Sequence, residues 1–473
     1  MPNNKKTNKT IFGAFIAALL TTQAIFLVGN QVHSFKTQNG INLRVIQDQQ
    51  MSFIHAQVLI LFDFSDLPSS HFTPSIPEMT VFHLFAKEID EPSSPLLRNL
   101  RRLGGDYQLE MKPDFLRISL NFPNDRLPNF GAFLKELYNY NHFFLKKFNN
   151  SLENYWSIFF RQENWKSILA ERIGYSFLFP DQPLGWCFTP YTELRQLNLF
   201  HLRSFYRNSF QPQRSKVIIK SNVNPHVTLG LLERSLHGSG DSESSAITTP
   251  TLSPQTPRPD QHRKIVFFAG EDSEPPLFTW LEPLPDVNHP DHLAHLTIHQ
   301  AIFAFPGGRI YQQRFNRFTA RAYQFTSEVI HHRGVSVIKH QTMINYPDIE
   351  PLISLIDQEK RRLLAQPLDR REYLEAVNYF LNKAKVSTAD FEQEVNNEVF
   401  QFIAGFNQPF NKWLPTMVRK LSPEKTNNVV AAILSSGKDN LQTDLGGTIV
   451  IIGNRDPLIR QSFSFTVEWI RQD

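Results

Sequence analysis

Three histidines, His292, His295 and His299, stand at i, i+3 and i+7 in the run HLAHLTIH. On a helix these positions share one face, and three imidazoles on one face could hold a metal ion. No carboxylate lies inside the run, and Asp291 just before it suits a helix N-cap or first-turn acid. The expectation is therefore a packing face that happens to carry histidines. His331-His332-Arg333-Gly334 reads as a hairpin turn. No glycine-rich phosphate loop, Gly-x-Ser-x-Gly elbow or Cys–His nucleophile pair is present. Gly447-Thr-Ile-Val-Ile-Ile-Gly453 lacks the Lys-Ser/Thr of a nucleotide loop and reads as a strand. The single cysteine, Cys187 between Trp186 and Phe188, excludes an internal disulfide framework and suits a buried small apolar group.

The elements that would position such groups belong to a chain of 473 residues, long enough for two or three domains. Hydrophobic residues make up 41% and charged ones 20%, a globular composition. The formal charge of +4 falls almost to neutrality once Lys5, Lys6 and Lys9 are set aside, so nucleic acid is not an expected partner. Those lysines precede the uncharged run Ile11–Val28, IFGAFIAALLTTQAIFLV. Basic residues followed by an apolar run describe a secretory signal, and 18 residues is also the lower limit for a membrane span. Residues 1–34 are therefore expected to be a signal peptide or a single N-terminal anchor, with Val32-His33-Ser34 a possible processing site. The body is expected in the periplasm, or tethered to the inner membrane facing it.

The sharpest change of composition is His237–His262, HGSGDSESSAITTPTLSPQTPRPDQH, which has almost no large apolar residue and reads as a flexible linker over 237–262. It separates 35–236 from 263–473, two stretches of one-domain size. In the first, strands are expected near 40–46, 56–62, 116–122 and 216–220. Helices are expected at 78–89, 127–138, 151–172 and 194–209. In the second, strands at 264–268, 322–338 and 448–453 bracket helices at 291–303, 348–365, 369–384 and 389–405. The fold class is α+β: two similar domains, each an antiparallel-rich sheet with helices packed on one face, joined by a flexible linker.

Three stretches carry a family likeness. Leu100-Arg-Arg-Leu-Gly-Gly-Asp-Tyr, followed by Asp114-Phe-Leu-Arg-Ile-Ser-Leu, makes a Leu-Gly-Gly turn and the strand after it. Leu202-Arg-Ser-Phe-Tyr206 runs through Gln211-Pro-Gln to Val217-Ile-Ile. Pro306-Gly-Gly-Arg-Ile-Tyr311 is followed by Arg321-Ala-Tyr323. In order and spacing these resemble the landmarks of the insulinase-like (pitrilysin, or mitochondrial processing peptidase) metallopeptidase family over nearly all of the exported chain.

The resemblance implies a zinc site built on His-x-x-Glu-His, where two histidines share a helical face and the Glu takes a proton from metal-bound water. That motif is absent. Placing the family helix on Pro77-Glu-Met-Thr-Val-Phe-His-Leu-Phe sets Met79 at the first His, Phe82 at the base and His83 at the second His. Glu163, 80 residues beyond His83, is the nearest match to the third ligand. A thioether suits zinc poorly and Phe82 cannot accept a proton, so no cofactor is expected and the chain reads as a degenerate, non-catalytic member. From the second domain, Tyr323 matches a substrate-holding Tyr, and Arg314 or Arg317 the accompanying Arg. The implied partners are extended peptides and an active homologue in a heterodimer. Two other readings stay open here. One is an active zinc peptidase with a rearranged site using His83 and Glu163; the other is a stand-alone envelope binding or scaffold protein.

Overall fold

A computed structural model describes residues 31–62, 75–85, 95–161, 163–180, 182, 184–185, 194, 197–237, 264–270, 275–303, 307–310, 325–332, 334–386, 391–404, 410–435, 447–460, 463 and 466–471. The leader run, most of the linker, Cys187, Arg314, Arg317 and Tyr323 lie outside these residues.

The first half contributes six strands: β1 Gln31–Lys36, β2 Asn42–Gln47, β3 Phe53–Leu61, β4 Asp106–Met111, β5 Phe115–Pro123 and β6 Ser215–Ser221, in the order β1-β2-β6-β3-β5-β4. Its helices are α1 Ile76–Phe85, α2 Pro95–Arg102, α3 Leu127–Tyr138, α4 Leu145–Phe159, α5 Trp165–Leu178, α6 Leu199–Ser209 and α7 Pro225–Leu236. The second half contributes β7 Lys264–Gly270, β8 Leu277–Leu284, β9 Thr326–His332, β10 Val335–Met343, β11 Thr448–Asn454 and β12 Glu468–Arg471, in the order β12-β7-β11-β8-β10-β9. Around it are α8 His292–Phe303, α9 Ile349–Ala365, α10 Arg370–Val386, α11 Phe391–Ala404, α12 Phe410–Arg419, α13 Pro423–Ser435 and α14 Arg455–Ile459.

The two sheets repeat one another. In each, the second pairing from one edge is parallel (β2 with β6, β7 with β11), and the three pairings that follow are antiparallel. They differ only at one edge, where β1 runs antiparallel to β2 but β12 runs parallel to β7. The fold is thus the α+β pair of domains expected, each with its own helices on one face of its sheet.

The opposite faces are covered by exchange. Val266, Phe268, Val450 and Ile452 of the second sheet pack against Leu169, Ala170 and Ile173 of α5, a helix of the first half. Leu281, Val335 and Val337 extend that contact to Tyr175, Leu178 and Phe179. A Cβ on Gly174 would fall 1.9 Å from Leu281 Cδ1, so any larger residue would have to displace the Leu281 side chain for this helix to come so close. In return, Val395 and Val399 of α11 cover Ile46, Leu59, Phe115 and Ile218 of the first sheet. Arg44 and Lys216 both pair with Glu398 at 2.8 Å, and Arg117 donates to Asn396 at 2.7 Å. The exchange explains the unbroken apolar run of β11. Ile449 and Ile451 face the second half's own helices while Val450 and Ile452 face α5, so no position is left for a polar residue.

Several elements depart from the sequence expectation. The single helix over 151–172 is two, α4 and α5, divided at 160–164. Tyr155 of α4 joins the first core, whereas Leu169, Ala170 and Ile173 of α5 join the second sheet, so the chain must turn between them. No Gly or Pro marks the break; Phe160 instead packs edge-on against Trp165 with ring centroids 5.0 Å apart. β1 begins at Gln31, inside the 1–34 stretch assigned to the leader. β4, β8 and β12 were not expected, nor were α2, α7, α12, α13 and α14; β8 follows Pro275-Pro276 and α12 contains Pro415, both of which obscure periodicity.

Candidate functional site

The family motif maps onto α1, and α1 is buried almost all round: Ile76, Pro77, Met79, Thr80, Val81, His83, Leu84 and Phe85 are all inside. Thr80 is made tolerable there because its hydroxyl donates to the Ile76 carbonyl at 2.8 Å. Met79 and His83 are both 0% exposed. The His83 ring lies parallel to Phe143, centroids 5.3 Å apart, and neither ring nitrogen has a hydrogen-bond partner. Burial, then the Lys147 ammonium, lower its pKa to about 4, with Arg203 acting in the same direction. The His142 backbone pulls the other way without reaching hydrogen-bond geometry.

Those cations decide the metal question. Lys147 is buried, with its ammonium 3.5 Å from the Tyr140 hydroxyl, and Arg203 donates to the Phe143 carbonyl at 2.7 Å. Positive charge therefore already occupies the surroundings in which a divalent ion would need carboxylates. Glu163 is exposed on the turn before α5, whereas His83 is enclosed, so the fold does not present them as a ligand pair. Among the described residues no three His, Cys, Asp or Glu converge as metal ligands. A zinc ion does not fit this set.

Phe82, which the resemblance sets at the position of the catalytic base, packs edge-on against Tyr155 of α4 at 6.2 Å. Beside it, Glu78 accepts from the Tyr155 hydroxyl and pairs with Arg172 of α5. Arg172 also donates to the Tyr155 oxygen at 3.1 Å and lies 4.7 Å over the Phe159 ring. This clamp ties α1, α4 and α5 together where the family's metal would tie two helices. Sequence reasoning missed it because Glu78 and Arg172 are 94 positions apart and neither belongs to the motif.

The histidine run on α8 is a packing layer, as expected, but a polar one. His292 Nδ1 donates to the Pro285 carbonyl at 2.8 Å. His299 Nδ1 meets His340 Nε2 of β10 at 3.2 Å, and His340 Nδ1 meets the Ser327 hydroxyl at 2.8 Å. On its far side His299 faces Glu282 at 3.7 Å, which Lys360 holds at 2.5 Å while lying 3.9 Å above the Trp280 ring. Burial keeps these histidines neutral: His292 and His295 fall to about 4, and His299 and His340 fall well below the usual range. The rings point at different partners and form no common metal site.

The hairpin at 331–334 is present, with Val335 opposite His332 and Gly334 at φ 84°. Its histidine bridges the halves: His332 Nδ1 lies 3.1 Å from Asp114 of the first half, and its Nε2 lies 2.9 Å from the Tyr175 hydroxyl. The Leu-Gly-Gly turn is shaped by Gly104 at φ +69° and by Gly105, where a Cβ would strike the Asn121 carbonyl. In the second domain, Arg309 of the Gly-Gly-Arg motif makes a bidentate pair with Glu372 at 2.6 and 2.7 Å, anchoring α10.

The Gly-Gly turn opens onto β4, the outermost strand of its sheet. Among the described residues Asp106–Met111 pair with β5 alone, and they are exposed along nearly their whole length, Tyr107 and Leu109 each at 37%. Sequence reasoning found the turn but not this open edge.

Residues 196–380 match the family described as "Peptidase M16 inactive domain". Among solved structures, a protease from Helicobacter pylori is similar at TM-score 0.70 and 12% identity, over 89% of this chain and 99% of that one. A peptidase M16 inactive domain from Pseudomonas fluorescens is similar at TM-score 0.63 and 13% identity, over 90% and 98%. No curated protein matches the chain in sequence.

Proposed function

Because the chain has the two-domain architecture of the M16 (pitrilysin-like) peptidases in its inactive form, we propose that it is a peptide-gripping subunit working beside an active homologue in the cell envelope. It lacks the family's zinc site, since α1 carries Met79 and Phe82 and its one remaining histidine is closed in by cations.

The observation that carries the proposal is the open edge of β4. Exposed edge strands are normally blunted with lysine, proline or a bulge, because a free row of backbone donors and acceptors invites another strand. Asp-Tyr-Gln-Leu-Glu-Met carries carboxylates at Asp106 and Glu110 but no lysine or proline, and leaves Tyr107 and Leu109 each 37% exposed. An extended peptide added there gains backbone hydrogen bonds and alternating side-chain contacts. The grip is a fixed platform and not a hinge between the two halves, since each half buries a helix of the other.

Gentle affinity isolation from the native envelope tests the partnership. The expected companion is a homologue carrying His-x-x-Glu-His, and the expected effect of Leu109→Pro is loss of peptide capture by the isolated pair. Recovery of the chain only as a lone monomer, with unlabelled peptide failing to protect the β4 amides from hydrogen exchange, would sink the reading.

A further inference from the structure

We propose that the end of the first sheet where β1 begins rests on the surface of a lipid bilayer; this extends, and rests on, the reading of Ile11–Val28 as a retained membrane anchor.

The strand register defines that end. Gln31 sits opposite Gln47, Gln47 opposite Ser221, and Lys220 opposite His55. Phe53 sits opposite Pro123, and Asp106 opposite Asn121. One rim of the sheet therefore collects the start of β1, the 48–52 turn, the 121–124 corner and the 221–224 corner. Asn124 donates to Asn222 at 2.9 Å across it. The first turn of α7 leaves the 221–224 corner and lies over the middle of β1, where His226 packs edge-on against Phe35 with centroids 5.4 Å apart and lies 6.3 Å from His33.

The chain itself constrains where this rim can be. Val28 is the last residue of the apolar run and Gln31 the first of β1. Three residue steps span at most about 11 Å. If the run lies in the bilayer, the rim cannot stand farther than that from the interface, whatever the tilt of the anchor. A domain held so close must offer the membrane a compatible surface or pay in desolvated charge.

The rim is compatible. Phe53 is 51% exposed and Val32 43%, two large apolar side chains turned to solvent at one end of the domain. Of its charged groups, Lys220 pairs with Asp48 at 3.4 Å and Arg126 with Asp125 at 3.5 Å, while Asp106 is exposed. Arg101 and Arg102, both exposed at the end of α2, precede the Gly104–Gly105 turn at the same rim and suit anionic headgroups. With Lys5, Lys6 and Lys9 on the inner side, the rim meets the outer leaflet.

The experiment uses the full chain, with Cys187→Ser as background, in vesicles of phosphatidylethanolamine and phosphatidylglycerol. An environment-sensitive fluorophore is placed at Phe53→Cys, Val32→Cys and, as control, Lys36→Cys at the far end of β1. The expected result is a blue-shifted emission, quenched by spin-labelled lipid, at 53 and 32 but not at 36. A vesicle-bound chain with the labels at 53 and 32 as water-exposed as that at 36 overturns the proposal while leaving the anchor standing. A chain that stays in the supernatant after vesicle flotation, with its N-terminus cut past Val28, overturns the anchor reading and the proposal with it.

Discussion

The imidazole of His83 lies flat against Phe143, the rings 4° from parallel, and has no hydrogen bond to either nitrogen. A histidine held this way is comfortable only when neutral. Its pKa is lowered to about 4, as are those of His292 and His295, by burial first in each case. The unfolded chain therefore binds more protons than the folded one between the ordinary value of about 6.5 and about 4. Stability should be constant with respect to these groups above pH 7 and fall as pH drops through that window. For His83 alone the loss is up to about 3 kcal/mol. Urea unfolding of His83→Leu at pH 7 and pH 4.5 checks this: the variant should lose less stability on acidification than the parent. An equal loss would remove His83 from the account.

The cations around His83 make a prediction about metal. Adding zinc should leave the melting temperature unchanged, and purified protein should carry no stoichiometric metal. Restoring the family residues with Met79→His and Phe82→Glu should still give weak or no zinc binding, because Lys147 and Arg203 remain beside the site. Adding Lys147→Met to that pair should strengthen binding, read by calorimetry. Tight zinc binding by the double variant with Lys147 intact would show that charge is not what excludes the ion.

Glu78 and Arg172 form a largely buried ion pair, their side chains 13% and 14% exposed. Breaking one partner strands the other, which in buried pairs costs about 3–5 kcal/mol. Arg172→Met should therefore destabilise strongly, whereas Glu78→Leu with Arg172→Met should recover much of the loss. The comparison is made by equilibrium denaturation. Tyr155→Phe should cost about 1 kcal/mol, since it removes one neutral hydrogen-bonding partner from a charged cluster.

Much of the architecture was legible from residues whose reasons are local. Gly104 and Gly105 are required by a positive φ and a backbone contact, and the helices over 349–365, 370–386 and 391–404 have regular apolar spacing. The absence of His-x-x-Glu-His is a fact of the sequence alone, and the positions the resemblance sets against it, Met79, Phe82 and His83, lie within five positions of each other on α1. What sequence could not supply is pairing at a distance. Glu78 with Arg172, His299 with His340, and Asp114 with His332 join residues 94, 41 and 218 positions apart. The exchange of α5 and α11 was hidden in another way. An apolar helix face looks the same whether it packs on its own sheet or on its neighbour's, so Leu169 and Val399 carry no mark of where they go.

That exchange sets the last prediction. Two domains joined only by a flexible linker should separate once the linker is cut. Here α5 is buried against Val266, Phe268, Val450 and Ile452, and α11 against Ile46, Leu59, Phe115 and Ile218. Separation would expose both apolar faces and strand Glu398, 3% exposed, away from Arg44 and Lys216. A protease site inserted within 240–260 should therefore yield two fragments that elute together on size-exclusion chromatography. They should also unfold in one transition, at a urea midpoint only slightly below that of the uncut chain. Adding Val399→Asp places a carboxylate in the apolar contact of α11 and should allow the cut halves to separate. If the parent fragments part freely after cutting, the helices are surface decoration and the rigid platform proposed for β4 has no support.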